Sequence, residues 1–302
     1  MSLPTTPVVS VIMSMRNAAA TIEQAVRSLQ WQTLPEWELI LIDDGSSDAS
    51  VEIVGRMRDP RIRMYCDGQR RGLAARLNEA VALARGNFIA RMDADDVCYP
   101  ERLTKQVAFL NRNPEIDLIG CGATVFANSG RLVGVLPVPT SHGEIVANPH
   151  RGFPLPHPTW CGRAEWFRRH PYDGSLSRAQ DQDLLLRCYS QSSFASLPDI
   201  LLAYRQERFE LRKILKGRAT FVRTLWKHGR LQWPLTVVLG GIAAQVALAA
   251  ADTVLLGLGF GSFAQRLRLE KVPEEAKARW ARIWHGLQAS GEEPVPVAAS
   301  TC

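Results

Sequence analysis

The 302-residue chain is 46% hydrophobic with a formal charge of +6, an ordinary globular composition that excludes wholesale disorder. The charge is local: from Arg205 to Arg230, nine Lys or Arg stand against Glu207 and Glu210, so general attraction to nucleic acid is not the expected partner class. The six cysteines lie far apart, without zinc or redox spacing, and no basic start with an apolar secretory core opens the sequence; reduced thiols and a cytosolic catalytic face are expected.

The first half alternates β-branched runs with amphipathic ones. Val8 to Met13 predicts a buried strand, and Ile22, Ala25, Val26 and Leu29 recur at helical spacing before Pro35. Trp37 to Ile42 predicts a second strand, followed by a Gly/Ser/Asp turn and a helix from about Asp48 to Met57, with Asp48 as N-cap one of two readings of that cluster. Arg61 to Tyr65 predicts a third strand, Leu73 to Ala84 a helix stopped at Gly86, and Asn87 to Met92 a fourth strand. Pro100 suits the first turn of the next helix, with Leu103, Val107 and Leu110 on one face. This β-α-β-α order implies a largely parallel sheet covered by helices.

After Pro114 the pattern loosens. Asp117 to Phe126 and Arg131 to Val135 suggest a strand pair around Asn128-Ser129-Gly130, residues 149 to 158 a loop over the site, Ala179 to Tyr189 a helix, and Ile200 to Tyr204 a last strand.

In open sheets of this kind ligands collect at the carboxyl ends of the strands. Three polar clusters fall there: Ser14-Met15-Arg16-Asn17, Asp43 to Asp48, and Asp93-Ala94-Asp95-Asp96. Asp93 and Asp95 at a strand end suit a hard divalent cation such as Mg²⁺, which accepts one or two carboxylates and completes its shell with water and phosphate oxygens. An acidic loop capping the helix after Pro100 is the alternative. A carboxylate at Asp44 could accept from a nucleobase N–H, or simply build a turn. Neither GxxxxGKS nor GxGxxG accompanies these loops, which sets aside P-loop and dinucleotide-binding readings.

Four segments, "VSVIMSMRNAAATIEQAVRSLQWQT", "ELILIDDGSSD", "RGLAARLNEAVALARGNFIARMDADDVCYPERL" and "AQDQDLLLR", together resemble the inverting family 2 glycosyltransferases with a GT-A fold, over residues 7 to 205. The resemblance implies an α/β architecture, a Rossmann-like mixed sheet flanked by helices, binding a nucleotide-diphosphate sugar, UDP-linked by preference. It implies that Ser14 and Asp44 hold the base, with Arg16 on the same loop. Asp93 would meet the ribose or the metal shell, and Asp95 the Mn²⁺ or Mg²⁺. Arg71 would meet the diphosphate, His157 the acceptor side, and Asp181 would be the general base. Asp183 is expected to be structural, capping the helix N-terminus or pairing with Arg187. Two positions depart from the family pattern: Ser14-Met15-Arg16-Asn17 replaces the common Pro-x-Tyr-Asn, and Gln180 replaces the usual Glu. Two rivals remain: an idle GT-A domain serving as a nucleotide-sugar-binding scaffold, and a sugar nucleotidyltransferase.

Residues 206 to 302 form a second region. Apolar residues interleave with the basic patch, and Leu235 to Phe260 is long enough to span a bilayer. Asp252 and glycine-containing breaks favour a hairpin or interfacial anchor over a single span. An anionic membrane surface, met through residues 206 to 260, is the expected partner, beside a glycan or polyprenyl-linked acceptor. That places the enzyme at the cytoplasmic side of the cell membrane; a homo-oligomer is a further expectation. Residues 291 to 302 are expected to fray.

Overall fold

The computed structural model describes residues 6–206, 210–261 and 269–289. The expected fraying of residues 291 to 302 lies outside them. The alternating half of the sequence folds as expected: β1 (Val9–Met15), α1 (Ile22–Gln30), β2 (Trp37–Asp43), α2 (Ser50–Arg56), β3 (Ile62–Cys66), α3 (Leu73–Leu83) and β4 (Phe88–Arg91). A two-residue strand β5 (Val97–Cys98) and α4 (Arg102–Arg112) follow. Next come β6 (Leu118–Phe126), β7 (Leu132–Leu136), a short α5 (His142–Ile145), β8 (Cys161–Arg163), α6 (Ala164–Arg169), α7 (Gln180–Cys188) and β9 (Phe194–Arg205).

The strands form one mixed sheet in the order β3-β2-β1-β4-β8-β6-β9-β5, with β7 also on β6. β3, β2, β1 and β4 are mutually parallel, while β8 runs antiparallel to β4 and to β6. Side chains two apart share a face, and the core divides accordingly. Val9, Val11 and Met13 pack with α1 and α4, whereas Ile12, Ile40 and Ile42 pack with α3, α6 and α7. The result is a sheet between two helical layers. Because β1 pairs with β2 on one side and β4 on the other, with Met15 level with Asp43 and Ile12 with Arg91, all three polar clusters emerge along one edge.

Three features went unread in the sequence. β5, β8 and the first half of β9 are short or irregular. β9 shifts register against β6 near Gly122, which blurs its alternation. Asp48 is not an N-cap: its carboxylate accepts from Ala19 N at 3.0 Å and Ser50 N at 3.0 Å, tying the first two loops together, and Ala49 occupies the cap position.

The last third is helical: α8 (Leu211–Lys227), α9 (Leu235–Gly257) and α10 (Glu274–Gln288). α9 is continuous, contrary to the expected glycine breaks. Gly240 has open space around it, and a Cβ on Gly241 would lie 2.7 Å from His150 O. Gly241 therefore permits close packing rather than a break, and the turn of the hairpin falls at residues 228–234, between α8 and α9. By length and composition α9 is the one described helix apolar enough to cross a membrane. α10 belongs to the sheet domain by packing. Trp280, Ile283 and Leu287 cover Tyr99, Phe126 and Ala203, Trp280 Nε1 donates to Gly130 O at 2.6 Å, and Arg279 pairs with Glu101.

Candidate active site

The acid loop turns immediately after β4. Asp93 is half-buried, Asp95 is exposed and Asp96 is fully buried; one oxygen from each lies within 4.8 Å of the others. β9 holds the loop from the far end of the domain. Arg205 N donates to Asp96 Oδ1 at 2.9 Å and Arg205 Nε to Asp95 O at 2.6 Å. Asp93 accepts from Arg91 Nη2. Such crowding has an electrostatic signature. Lost hydration first, and Asp93 second, push the Asp95 carboxyl up to about 6; the same causes, with Asp95 added, raise Asp96 well above the usual range.

These residues fit a hard divalent cation. Three hard oxygen donors cluster, and Asp96 Oδ2 is a buried carboxylate oxygen with no hydrogen-bond partner among the described residues. Asp93 and Asp95, but not Asp96, line the adjoining cleft, so these two are the pair available to a cation that also touches a ligand.

That cleft, about 960 Å³, brings Asp93 and Asp95 together with His157 and Asp181. Asp181 stands in the first turn of α7, after Ala179, whose left-handed φ of 53° turns the chain into the helix; a non-glycine residue there costs about 1–2 kcal/mol. Burial raises the Asp181 carboxyl above its ordinary value, while hydrogen bonds from Gln182 oppose the rise. Gln182 Nε2 reaches Asp181 Oδ2 at 3.3 Å and Phe153 O at 3.1 Å, and its Oε1 accepts from Phe153 N at 2.8 Å. Asp183 accepts from Arg187 Nε at 2.9 Å, the structural pairing expected of it. His157 is 7% exposed, with Nε2 2.8 Å from the Tyr172 hydroxyl. Burial, then the Arg91 charge, hold its pKa well below 6.5, so it presents a neutral imidazole.

The other candidates gather beside the cleft rather than in its lining. Asp44, 5% exposed, accepts from Arg71 N at 2.6 Å, Gly72 N at 2.9 Å and Arg76 Nε at 3.1 Å. Among the described residues its Oδ2 accepts one hydrogen bond, from Gly72 N at 3.1 Å. Ser14 is half-buried on β1 and Arg16 is exposed. Arg71 serves Asp44 through its backbone, while its guanidinium turns to Glu79 at 2.8 Å and Asp67 at 3.1 Å. Leu73, at the start of α3, is where this region meets the cleft.

Several cleft residues were not singled out from the sequence: Arg91, Arg178, Tyr204, Arg205 and Lys213. Arg91 left a signal, being a charge at the end of the otherwise apolar strand Phe88-Ile89-Ala90; it is 2% exposed, and its carbonyl accepts from Arg102 Nη2 at 2.8 Å. The others depend on tertiary contacts.

Comparison with known proteins agrees with this architecture. The profile of Glycosyl transferase family 2 matches residues 10–169. A Bacillus subtilis (strain 168) protein named as a glycosyltransferase, EpsE, is 36% identical over 192 residues, spanning 61% of this chain and 68% of that one. The Escherichia coli UDP-Glc:alpha-D-GlcNAc-diphosphoundecaprenol beta-1,3-glucosyltransferase WfgD is 32% identical over 142 residues, 46% of this chain and 55% of that enzyme. Staphylococcus aureus TarS 1–349, solved with UDP-GlcNAc, superposes with a TM-score of 0.60 at 17% identity, covering 92% of this chain and 80% of that one. The Pyrobaculum calidifontis mannosyltransferase PcManGT, solved with GDP-Man and Mn2+, gives 0.58 at 18% identity over 96% and 90%. The match over more than half its length shows that the chain belongs to glycosyl transferase family 2, as a glycosyltransferase of GT-A fold.

Proposed function

We propose that the chain is a metal-dependent, inverting glycosyltransferase that moves a sugar from a nucleotide-diphosphate donor, UDP-linked by preference, to a hydroxyl of a polyprenyl-diphosphate-linked glycan. It would act in cell-envelope polysaccharide synthesis at the cytoplasmic side of the membrane. The observation that carries this reading is one cleft holding both the Asp93–Asp95 pair and Asp181. The acceptor class is supported by the lipid-linked substrate named for the Escherichia coli relative, and the diphosphate donor by the sugar nucleotides bound in the two related folds.

In this scheme Asp181 takes the proton of the acceptor hydroxyl. The oxygen attacks the anomeric carbon, forming the new glycosidic bond, while the old C–O bond breaks and the nucleoside diphosphate departs from the opposite face with the electron pair. The configuration inverts. Burial suits Asp181 to this, because a raised pKa makes a stronger base. Asp93 and Asp95 would hold Mn²⁺ or Mg²⁺, which when bound supplies charge stabilisation to the diphosphate leaving group. Ser14, Arg16 and Asp44 would meet the base, with Asp44 Oδ2 the acceptor for a ring N–H. Arg71 would serve the diphosphate, releasing Glu79, and His157 would border the acceptor as a neutral hydrogen-bonding group.

The test is calorimetry with UDP-, GDP- and dTDP-sugars, with and without Mn²⁺, followed by product analysis on a polyprenyl-diphosphate saccharide. Asp95→Ala should lose metal-dependent donor binding, whereas Asp181→Ala should keep binding and lose transfer. Donor binding without transfer to any acceptor would favour the scaffold rival, and pyrophosphate release from a nucleoside triphosphate would favour the nucleotidyltransferase.

A further inference from the structure

The hairpin of α8 and α9 is built inside out. α9 gives the enzyme a narrow seam, Val238, Gly241, Gln245 and Asp252, which contains its strongest polar side chains. Each is engaged there. Gln245 Nε2 donates to Arg151 O at 3.0 Å, and Arg218 on α8 donates to Gln245 Oε1 at 2.9 Å and Asp252 Oδ2 at 2.7 Å. Outward go Leu235, Leu239, Val246, Leu248 and Val254, each between 47% and 60% exposed. So continuous an apolar surface marks a contact with something else.

The neighbouring helix indicates what. Arg212, Lys216, Arg223 and Lys227 are exposed at intervals of four, seven and four residues along α8, which sets them on one stripe of the helix, and Trp226, 48% exposed, lies among them with Arg230 over its ring at 5.7 Å. Lys227 reaches Asp173 at 3.8 Å; Arg212, Lys216 and Arg223 have no acidic partner among the described residues. An unpartnered apolar helix beside a cationic stripe carrying an interfacial tryptophan complements an anionic leaflet. A second copy docked through the same face would bring two cationic stripes together, which is unfavourable.

We propose that α8 and α9 dock flat on an anionic bilayer, the α9 aliphatic side chains entering the boundary between headgroups and acyl chains and the α8 cations meeting lipid phosphates. α9 lies on the membrane instead of crossing it. At about 34 Å it is long enough to cross, but crossing would pull Gln245 and Asp252 from Arg151 and Arg218. The same hairpin shapes the active site, since Glu210, Lys213 and Ile214 line the cleft that holds Asp95 and Asp181. A lipid-linked acceptor would therefore reach the cleft along α8. This last step rests on the acceptor reading above; the docking does not.

The experiment is flotation of the full-length protein with vesicles of phosphatidylcholine alone or mixed with phosphatidylglycerol, with turnover of a UDP-sugar donor measured in parallel. Two variants accompany it, Leu239→Glu/Val246→Glu/Val254→Glu and Arg212→Gln/Lys216→Gln/Arg223→Gln, with thermal melts to verify folding. The wild type should float with the anionic vesicles and release at high salt or carbonate. Each variant should lose about tenfold or more in partitioning while donor turnover holds. A wild type that ignores both vesicles, resists carbonate extraction, or forms a dimer dissociated by the Glu variant would overturn the proposal. Flotation without any donor turnover would leave the docking standing and remove the enzymatic reading.

Discussion

Thr224 on α8 donates its hydroxyl to Asp183 on α7 at 3.0 Å, two residues beyond Asp181. Asp183 is 2% exposed and its other oxygen accepts from Arg187, so the helix that carries the candidate base is fastened to the helical hairpin. Thr224→Val, which removes that donor from a buried carboxylate, should cost about 1–3 kcal/mol in urea denaturation. It should lower kcat more than it raises donor KM, because the substitution loosens Asp181 rather than Asp93 and Asp95.

Asp181→Asn should separate activity from stability. Loss of the base should reduce transfer by about 10²–10⁴-fold. The melting temperature should rise, because a carboxyl whose folded pKa is raised disfavours the folded state once it ionises, and the amide removes that charge. In the wild type, the acid limb of kcat/KM should lie above the usual carboxylate range, since the base must be ionised to act.

The imidazole of His157 should show its burial in the pH dependence of stability. Its folded pKa lies below the unfolded value, so on acidification the unfolded chain takes up a proton that the folded one refuses. Stability therefore falls as pH drops below about 6.5, with a slope of up to about 1.4 kcal/mol per pH unit from this group. His157→Gln should flatten that slope; urea denaturation of both proteins at pH 5.5 and 7.5 measures the difference.

The adjacent glycines of α9 should respond oppositely. Gly240→Ala meets open space and should be neutral or stabilising by up to about 1 kcal/mol. Gly241→Ala sets a methyl group 2.7 Å from His150 O and should cost about 1–3 kcal/mol. Equal melting temperatures for the two variants would refute the close packing assigned to Gly241.

The alternating half was legible because β1, β2 and β4 are buried on both faces and its helices carry apolar residues at regular spacing; Val9 to Arg91 needs little tertiary information. The acid loop announced itself by the improbability of crowding Asp93, Asp95 and Asp96. What the sequence concealed was closure over long separations. Asp96 is held by Arg205 N, 109 residues away, and no local pattern forecasts that bond. Composition also misled at Gly240-Gly241, where a pair that weakens an isolated helix is tolerated because one member touches a neighbouring backbone. Asp44 shows the same division: its place at a strand end is readable from the sequence, but its engagement with Arg76 requires the turn of α3.

The dependence of the acid loop on late residues has a consequence for biosynthesis. Arg205 clamps Asp95 and Asp96; its guanidinium lies over Phe126 at 4.6 Å, and Phe126 in turn meets Trp280. Arg279 pairs with Glu101 across 178 positions. While the chain is being translated, the sheet between β1 and β4 can assemble early, but the aromatic cover behind the loop cannot close until residue 280 has left the ribosome. Contacts so distant in sequence form slowly, and the exposed edge awaiting them is a surface that chaperones would shield. A premature stop shortly before α10 would thus yield a protein with most of its sheet intact and Arg205 still on the acid loop, but without the Trp280 cover behind Phe126.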